Sequence, residues 1–345
     1  MMTMSKNHKS LAVFIISFTF CLVAYVGVFF WQIGRPVIAE WWLKNTAEKK
    51  ESISRTSGSS RIVFISGSNS LFGISGDVIA AKTGRDVVNL GLHAGLDIDY
   101  LVYFLKKNIK QGDIVIAPLE FKYYLRDEKP TSWVISNMLA WGGEYIKQLS
   151  MFEMIKFITY TSKDRIVEGV ITGGDNKYDD LDKVLATPFA TLHTYRPYNY
   201  SSLDRYGSMQ MAYYNQGVLV RMQKQQSNYE KILSYDKNDL SFTSHAAEGI
   251  LALKKIAESN GGEFYVTWPA SIDNHWFNNH DQQSIIFTDN IKTHLNEIGV
   301  KVICDPFYSN LDFKLFTDTI YHLNRDGSVI RSERLAECLS RSRKK

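Results

Sequence analysis

The sequence predicts an α/β domain on a parallel sheet, tethered by one membrane-spanning helix. Three observations carry this reading. Ser10 to Gly34 contains no charged residue, short β-branched runs alternate with stretches of helical periodicity, and two of those runs lead directly into glycine-bearing turns. Strands that alternate with helices pair in parallel and are covered on both faces.

The N-terminal run comes first. Leu11 to Trp31 is almost wholly apolar and is bounded by Lys9 and Arg35. Crossing the hydrocarbon takes ~20 apolar residues as a helix. A signal peptide has a shorter apolar core that ends in small residues, whereas this run continues through Val28, Phe29, Phe30 and Trp31 with no Ala-x-Ala pattern. Residues 1–34 are therefore expected to be a tail and an uncleaved anchor. Lys6 and Lys9 precede the run, and Arg35, Lys44, Lys49 and Lys50 follow it, so a literal count of basic flanks favours a cytoplasmic C-terminal side. Asn45 to Ser60 is rich in Lys, Glu, Ser and Thr, and residues 35–60 read as a linker or frayed helix end.

Residues 61–345 are expected to form one domain. Its strand signals are Arg61–Ser66, Asp86–Leu90, Asp113–Ala117, Glu263–Trp268 and Lys301–Cys304, which makes five. Helical periodicity covers Tyr100–Lys110, Ser244–Ser259 with Ser244 as N-cap, and Ile285–Ile298. A last helix starts after Asn324, with Asp326 in its first turn and Arg341 and Arg343 near its end, in the order that suits the helix dipole. Between about 124 and 238 the alternation breaks down. That stretch holds an apolar helix candidate, Trp133–Trp141, and the tyrosines Tyr195, Tyr198, Tyr200, Tyr206, Tyr213 and Tyr214. It reads as an insertion covering the C-terminal edge of the sheet, where binding loops gather.

Composition excludes some partners. A net charge of +4 makes no case for nucleic acid, and Arg341, Arg343, Lys344 and Lys345 read as a solvated tail. No glycine loop followed by Lys-Ser/Thr is present, no His/Cys/Asp/Glu spacing suits a metal, and no cofactor is expected. Cys21 lies within the apolar run, and whether Cys304 pairs with Cys338 is left open.

Two segments carry the candidate chemistry. The first is Ser66-Gly67-Ser68-Asn69-Ser70, directly after a strand and before a helix. A serine there stands above the sheet, beside the free N–H groups of the helix start, which can stabilise an oxyanion. The plain alternative is a turn that caps the helix. The second segment is Phe316-Thr-Asp318-Thr-Ile-Tyr-His322-Leu-Asn324, before the last helix. A serine needs a base to take its proton, and the base needs a carboxylate to fix its tautomer. Here the plain alternative is a surface aspartate and a capping His–Asn turn. Asp273 and His275 form a second Asp–His pair, read as loop polar residues, and His93 is either a substrate contact or a structural histidine. The tyrosines suit either sugar stacking or packing, and Gly173-Gly174-Asp175 reads as a turn.

Together the two ends resemble the SGNH (GDSL-like) hydrolase superfamily, over most of residues 61–340 in element order and sharply at these ends only. Asn89-Leu-Gly91-Leu-His93-Ala-Gly95, after the second strand, looks similar to that family's oxyanion-glycine loop. The tail resembles the membrane-anchored branch, which includes extracytoplasmic factors of alginate acetylation and teichoic-acid alanylation. The family's Gly-Asp-Ser aligns here as Ser66-Gly67-Ser68 or as Gly67-Ser68-Asn69. The first register is preferred and makes Ser68 the nucleophile, with Ser70 a weaker alternative. The Asp–His spacing is four rather than the commoner three, and Pro118-Leu-Glu120-Phe stands where the family has an oxyanion asparagine.

What the resemblance implies is a flavodoxin-like three-layer sandwich with a five-stranded parallel sheet and a Ser68–His322–Asp318 triad. Gly91 or Gly95 would complete the oxyanion hole, and Asn69 and His93 would contact substrate. The implied activity is serine O-acyl transfer or ester hydrolysis on envelope polysaccharide. An acylated donor, a glycan acceptor, the lipid bilayer and a membrane acyltransferase are the implied partners. The domain would then lie outside the cytoplasm, against the basic-flank count, because a long domain is translocated largely regardless of charge. The alternatives are a non-catalytic glycan-binding or assembly subunit with a degenerate site, and a cytoplasm-facing lipid esterase.

Overall fold

The computed structural model of the protein describes residues 6–35, 37, 39–172, 202–209 and 242–343. In chain order the first elements are α1 (Lys6–Trp31), α2 (Trp41–Thr56), β1 (Ile62–Phe64), α3 (Ser68–Gly73), α4 (Gly76–Thr83), β2 (Val87–Asn89), α5 (Ile98–Asn108) and β3 (Ile114–Pro118). Next come α6 (Ser132–Trp141), α7 (Gly143–Ile146), α8 (Met151–Tyr160) and α9 (Lys163–Ile171). The last are α10 (Ser244–Ser259), β4 (Glu263–Thr267), β5 (Ser271–Ile272), α11 (Gln282–Glu297), β6 (Asn310–Leu311) and α12 (Arg325–Arg343). The chain divides into two compact units, one of Met1–Trp41 with Lys129–Ala190 and one of Trp42–Glu128 with Thr191–Lys345.

In the second unit the β-branched runs become a parallel sheet in the order β2-β1-β3-β4. Ile62 stands opposite both Val87 and Ile114, and Ile114 opposite Glu263. Every residue of β1, β2 and β3 is buried, as expected of a sheet covered on both faces. Side chains alternate across the sheet. Ile62, Phe64, Ile114 and Ile116 share one face with Ile79 of α4 and with Leu335 and Leu339 of α12. The intervening residues face α5 and α10, which pack so closely that a Cβ on Gly249 would lie 2.5 Å from Ile98.

The expected fifth strand is reduced to one parallel bridge, Val302 beside Val266. The ladder stops because Cys304 turns to a φ of 69° and gives its carbonyl to the Trp268 indole N–H at 3.2 Å, with Pro306 soon after. Cys304 and Cys338 form a disulfide, with Cα atoms 5.3 Å apart. Thr243, one residue before the expected position, caps α10 by accepting from the Ala246 N–H at 3.1 Å.

Residues read as a linker or frayed helix end form most of α2, whose Trp42, Leu43 and Ala47 are buried. The remaining contacts are polar, which is why composition concealed them. Lys50 Nζ donates to the carbonyls of Asn89 (2.8 Å) and Gly207 (2.6 Å), and Ser54 Oγ donates to that of Asn108 (2.9 Å). Lys50 is fully buried, and desolvation pulls its ammonium well below the ordinary lysine range, against the nearby Asp204 charge.

The expected insertion is divided as well. Lys129–Ala190 groups with α1, a helix long and apolar enough to cross a membrane, because α6, α8 and α9 find partners along the end of α1 and the turn after it. The Gly34 N–H donates to the Leu139 carbonyl (2.8 Å), the Glu40 N–H to Asn137 Oδ1 (2.8 Å), and Val37, Trp41 and Ala140 form a small core. Residues 202–209 join the sheet unit, with Tyr206 O accepting from Asn89 N and Met209 N donating to Leu71 O. Tyr206 is a packing residue whose ring lies 2.4 Å from where a Cβ on Gly76 would be. Gly173, Gly174, Asp175, Tyr195, Tyr198, Tyr200, Tyr213 and Tyr214 lie outside the described residues.

Candidate functional site

The chain leaves β1, turns at Gly67 and enters α3 at Ser68. Gly67 is required by close approach, since a Cβ there would lie 2.5 Å from Glu120 Oε1 and 2.6 Å from the Ala94 Cα. Glu120 is fully buried after β3 and accepts the N–H groups of Gly67 (3.1 Å) and Asn69 (3.0 Å). A carboxylate at the start of a helix is favourable, because the first N–H groups lack intrahelical partners. From the other side the guanidinium of Arg331, in α12, donates to Asn69 O (2.9 Å), Asn69 Oδ1 (2.8 Å) and Trp268 O (3.0 Å). Burial pulls Arg331 down to about 10, with the Glu120 charge opposing it.

The clamp gives each polar residue of the turn a role. Asn69 is buried, and its amide donates to Pro118 O (2.7 Å) and Ser66 Oγ (3.3 Å), so its side chain is spent on interior partners. Ser66 Oγ donates to Ser70 Oγ at 2.6 Å, both fully buried. Ser68 is 7% exposed, and among the described residues its hydroxyl forms no hydrogen bond.

The second half of the site is a short hairpin before α12. Phe316 and Leu323 form an antiparallel bridge, and Thr317 N donates to His322 O at 2.9 Å. Asn324 closes the hairpin and caps α12 by accepting the Gly327 N–H (2.9 Å). Within this loop His322 Nδ1 lies 2.8 Å from Asp318 Oδ1, which also accepts from Thr317 Oγ1 at 3.0 Å. An ionised carboxylate only accepts, so Nδ1 carries the proton and the lone pair of the neutral ring is on Nε2. The His322 ring packs on Phe72, with centroids 4.2 Å apart. Phe72 is four residues beyond Ser68 in the same helix, so the two share a face and His322 lies over the face that carries Ser68. Among the described residues no hydrogen bond joins Ser68 to His322.

The glycine loop supplies the third part. Leu92 N donates to Ser66 O (3.1 Å), tying this loop to the end of β1. Gly91 N donates to Asn89 Oδ1 and Gly95 N to His93 Nδ1, both at 2.9 Å, so both glycine N–H groups are engaged within the loop. Because His93 Nδ1 accepts, the neutral ring carries its proton on Nε2. Burial, followed by electrostatic interaction with His322, Lys122 and Arg126, lowers His93 to about 4. The Arg126 guanidinium and the Tyr123 hydroxyl hold the Ala94 and Leu96 carbonyls behind it. Asp97 caps α5 and lies 3.2 Å from His245 Nε2, which raises the pKa of His245. His275 stacks on Trp276 with centroids 4.6 Å apart, and no hydrogen bond joins it to Asp273 among the described residues.

Ser68, His322, Asp318 and the His93 loop thus gather where β1 and β2 end, while Asn69 turns inward. Sequence reading missed Glu120 and Arg331 as members of the site. Their available signal was a charge next to an apolar run, at Pro118-Leu-Glu120-Phe121, and an arginine on the helix face of Ser328 and Leu335. No family model matches the chain, and no curated protein matches it.

Proposed function

We propose that this chain is a membrane-anchored serine O-acyltransferase or esterase of SGNH type, acting on envelope polysaccharide. The observation that carries the reading is the Asp318–His322 pair at 2.8 Å, with its imidazole packed on Phe72 over the Ser68 face of α3. Ser68 Oγ attacks the acyl carbonyl of the donor and passes its proton to His322 Nε2. Asp318 holds Nδ1–H and stabilises the imidazolium. The protonated ring then gives its proton to the leaving group, and the acyl-serine is released to a glycan hydroxyl or to water. The Ser68 N–H is one oxyanion donor. Gly91 and Gly95 would serve as donors after exchanging their present acceptors, and His93, neutral near pH 7, offers its Nε2–H to substrate.

The finer fold reading belongs with this one. With Lys301–Cys304 counted beyond β4, the sheet is five-stranded and flavodoxin-like. The disulfide of Cys304 with Cys338 supports a domain outside the cytoplasm, since such bonds persist in oxidising compartments. A second reading, a non-catalytic glycan-binding or assembly subunit, is favoured by Glu120. Its carboxylate takes the N–H groups of Gly67 and Asn69 where an oxyanion asparagine would stand.

Labelling of the full-length protein with a fluorophosphonate probe separates the two. The catalytic reading expects labelling in the wild type, its loss in Ser68→Ala, and a fall in rate on the order of 10⁴-fold in Asp318→Asn. A folded wild type that does not react, or a Ser68→Ala that labels equally, would favour the binding subunit.

A further inference from the structure

The anchor unit carries an apolar surface that stands exposed among the described residues. On α8, Met151 is 81% and Phe152 66% exposed, with Ile155 beside them at 54%. On α9, Ile171 is 75% exposed, with Val167 and Val170 alongside. These are not scattered side chains. Each helix has a separate packed face, formed by Phe157 on α8 and by Arg165, Ile166 and Gly169 on α9. Lys156 reaches back over the Phe152 ring at 4.4 Å, which puts its charge at the edge of the apolar face.

The position of this pair on α1 identifies what covers it. From Val13 to Ala24 every residue of α1 is exposed, and burial begins at Tyr25. Tyr25 Oη donates to the Ile158 carbonyl (3.3 Å), Arg165 Nη1 donates to Gln32 Oε1 (2.8 Å), and a Cβ on Gly169 would lie 3.0 Å from Gln32 Cβ. The pair therefore grips the stretch from Tyr25 to Gln32, about 10 Å of helix at 1.5 Å per residue. The apolar run ends there, with Arg35 stacked 3.6 Å above the Trp31 ring, the aromatic and basic pairing of a membrane–water boundary. An in-plane helix sinks its apolar face roughly 5–10 Å below the headgroups.

We infer that α8 and α9 form a second membrane contact, lying in the plane of the interface with Met151, Phe152, Ile155, Val167, Val170 and Ile171 in lipid. The occupant is the bilayer that α1 enters, and the inference rests on the reading of α1 as its spanning helix. Acids and bases are mixed along the pair (Glu153, Lys156, Lys163, Asp164, Arg165, Glu168), so burial of apolar surface drives the contact and a zwitterionic bilayer suffices.

The test uses the full-length protein carrying Cys21→Ser, reconstituted in phosphatidylcholine vesicles. An environment-sensitive thiol probe is placed in turn at Phe152→Cys, Ile155→Cys, Ile171→Cys, the polar-edge site Asp164→Cys, and Ile16→Cys in α1. Nitroxide-labelled lipids then report depth. The expected result is strong quenching at 152, 155 and 171 by nitroxides near the headgroup, several-fold above that at 164, with 16 quenched by deep nitroxides. Quenching at 16 without quenching at 152, 155 and 171 would overturn the contact, leave the anchor intact, and turn attention to a protein partner for the face. Absence of quenching at 16 would refute the spanning helix itself, a separately readable failure.

Discussion

Around Asp318 and His322 the backbone bonds that shape the loop span no more than ten residues, whereas the turn carrying Ser68 is held by Pro118, Glu120 and Arg331, 49 to 262 residues away. The Asp318–His322 half of the site is a local hairpin that closes on itself and caps its own helix. The Ser68 half is positioned by buried charges from two distant parts of the chain. Local bonds make a geometry that tolerates the loss of one partner. A buried clamp is vulnerable, because removing one charge leaves the other desolvated and uncompensated.

The largest expected effect breaks this contrast at its base. Glu120→Ala deprives the buried N–H groups of Gly67 and Asn69 of their charged acceptor, costing about 1–3 kcal/mol of stability for each. Asp318→Asn, in the hairpin, costs roughly 1 kcal/mol, because the backbone bonds that shape the loop survive while the acceptor of His322 Nδ1 and Thr317 Oγ1 loses its charge. Denaturant midpoints of the two variants in detergent measure the difference. Equal losses would mean that the two halves are held alike.

Gly67→Ala sharpens the contrast with a smaller effect. The new methyl meets Glu120 and the Ala94 backbone at once, and overpacking of this kind costs about 1–3 kcal/mol. Serine labelling should fall further than stability does, since the turn that aims Ser68 moves. A variant as reactive as the wild type would show that Gly67 does not set the nucleophile's position.

The smallest effect is a pH dependence with two separate windows. Asp97 raises the folded pKa of His245, so the stabilisation from this pair is complete below about 6.5 and is lost as pH rises through the raised value. It amounts to about 1 kcal/mol and disappears in His245→Gln. His93 acts in the opposite direction. Its folded pKa is lowered to about 4, so stability is present above about 6.5 and declines as pH falls toward 4. Thermal midpoints from pH 4 to pH 9 should therefore fall on both sides, with the alkaline limb alone flattened by His245→Gln.

What was legible in the sequence is what local physics writes there. The long apolar helix α1 followed from an uncharged run, the strands from β-branched runs, and the Asp–His pair from two residues four apart in one loop. Their order along the chain also gave the parallel sheet, because a helix between strands leaves no shorter way back. The lysine- and glutamate-rich stretch that read as a linker or frayed helix end forms the body of α2, whose packing adds the Lys50 ammonium and Ser54 hydroxyl to the buried Trp42, Leu43 and Ala47. Tertiary structure alone decided that Lys129–Ala190 groups with α1, that Asn69 turns inward while Phe72, one turn on from Ser68, packs against the imidazole, and that a glutamate and an arginine hold the turn between them. A buried polar group is satisfied by whichever partner the fold brings within 3 Å, and partners hundreds of residues apart leave no period in a sequence.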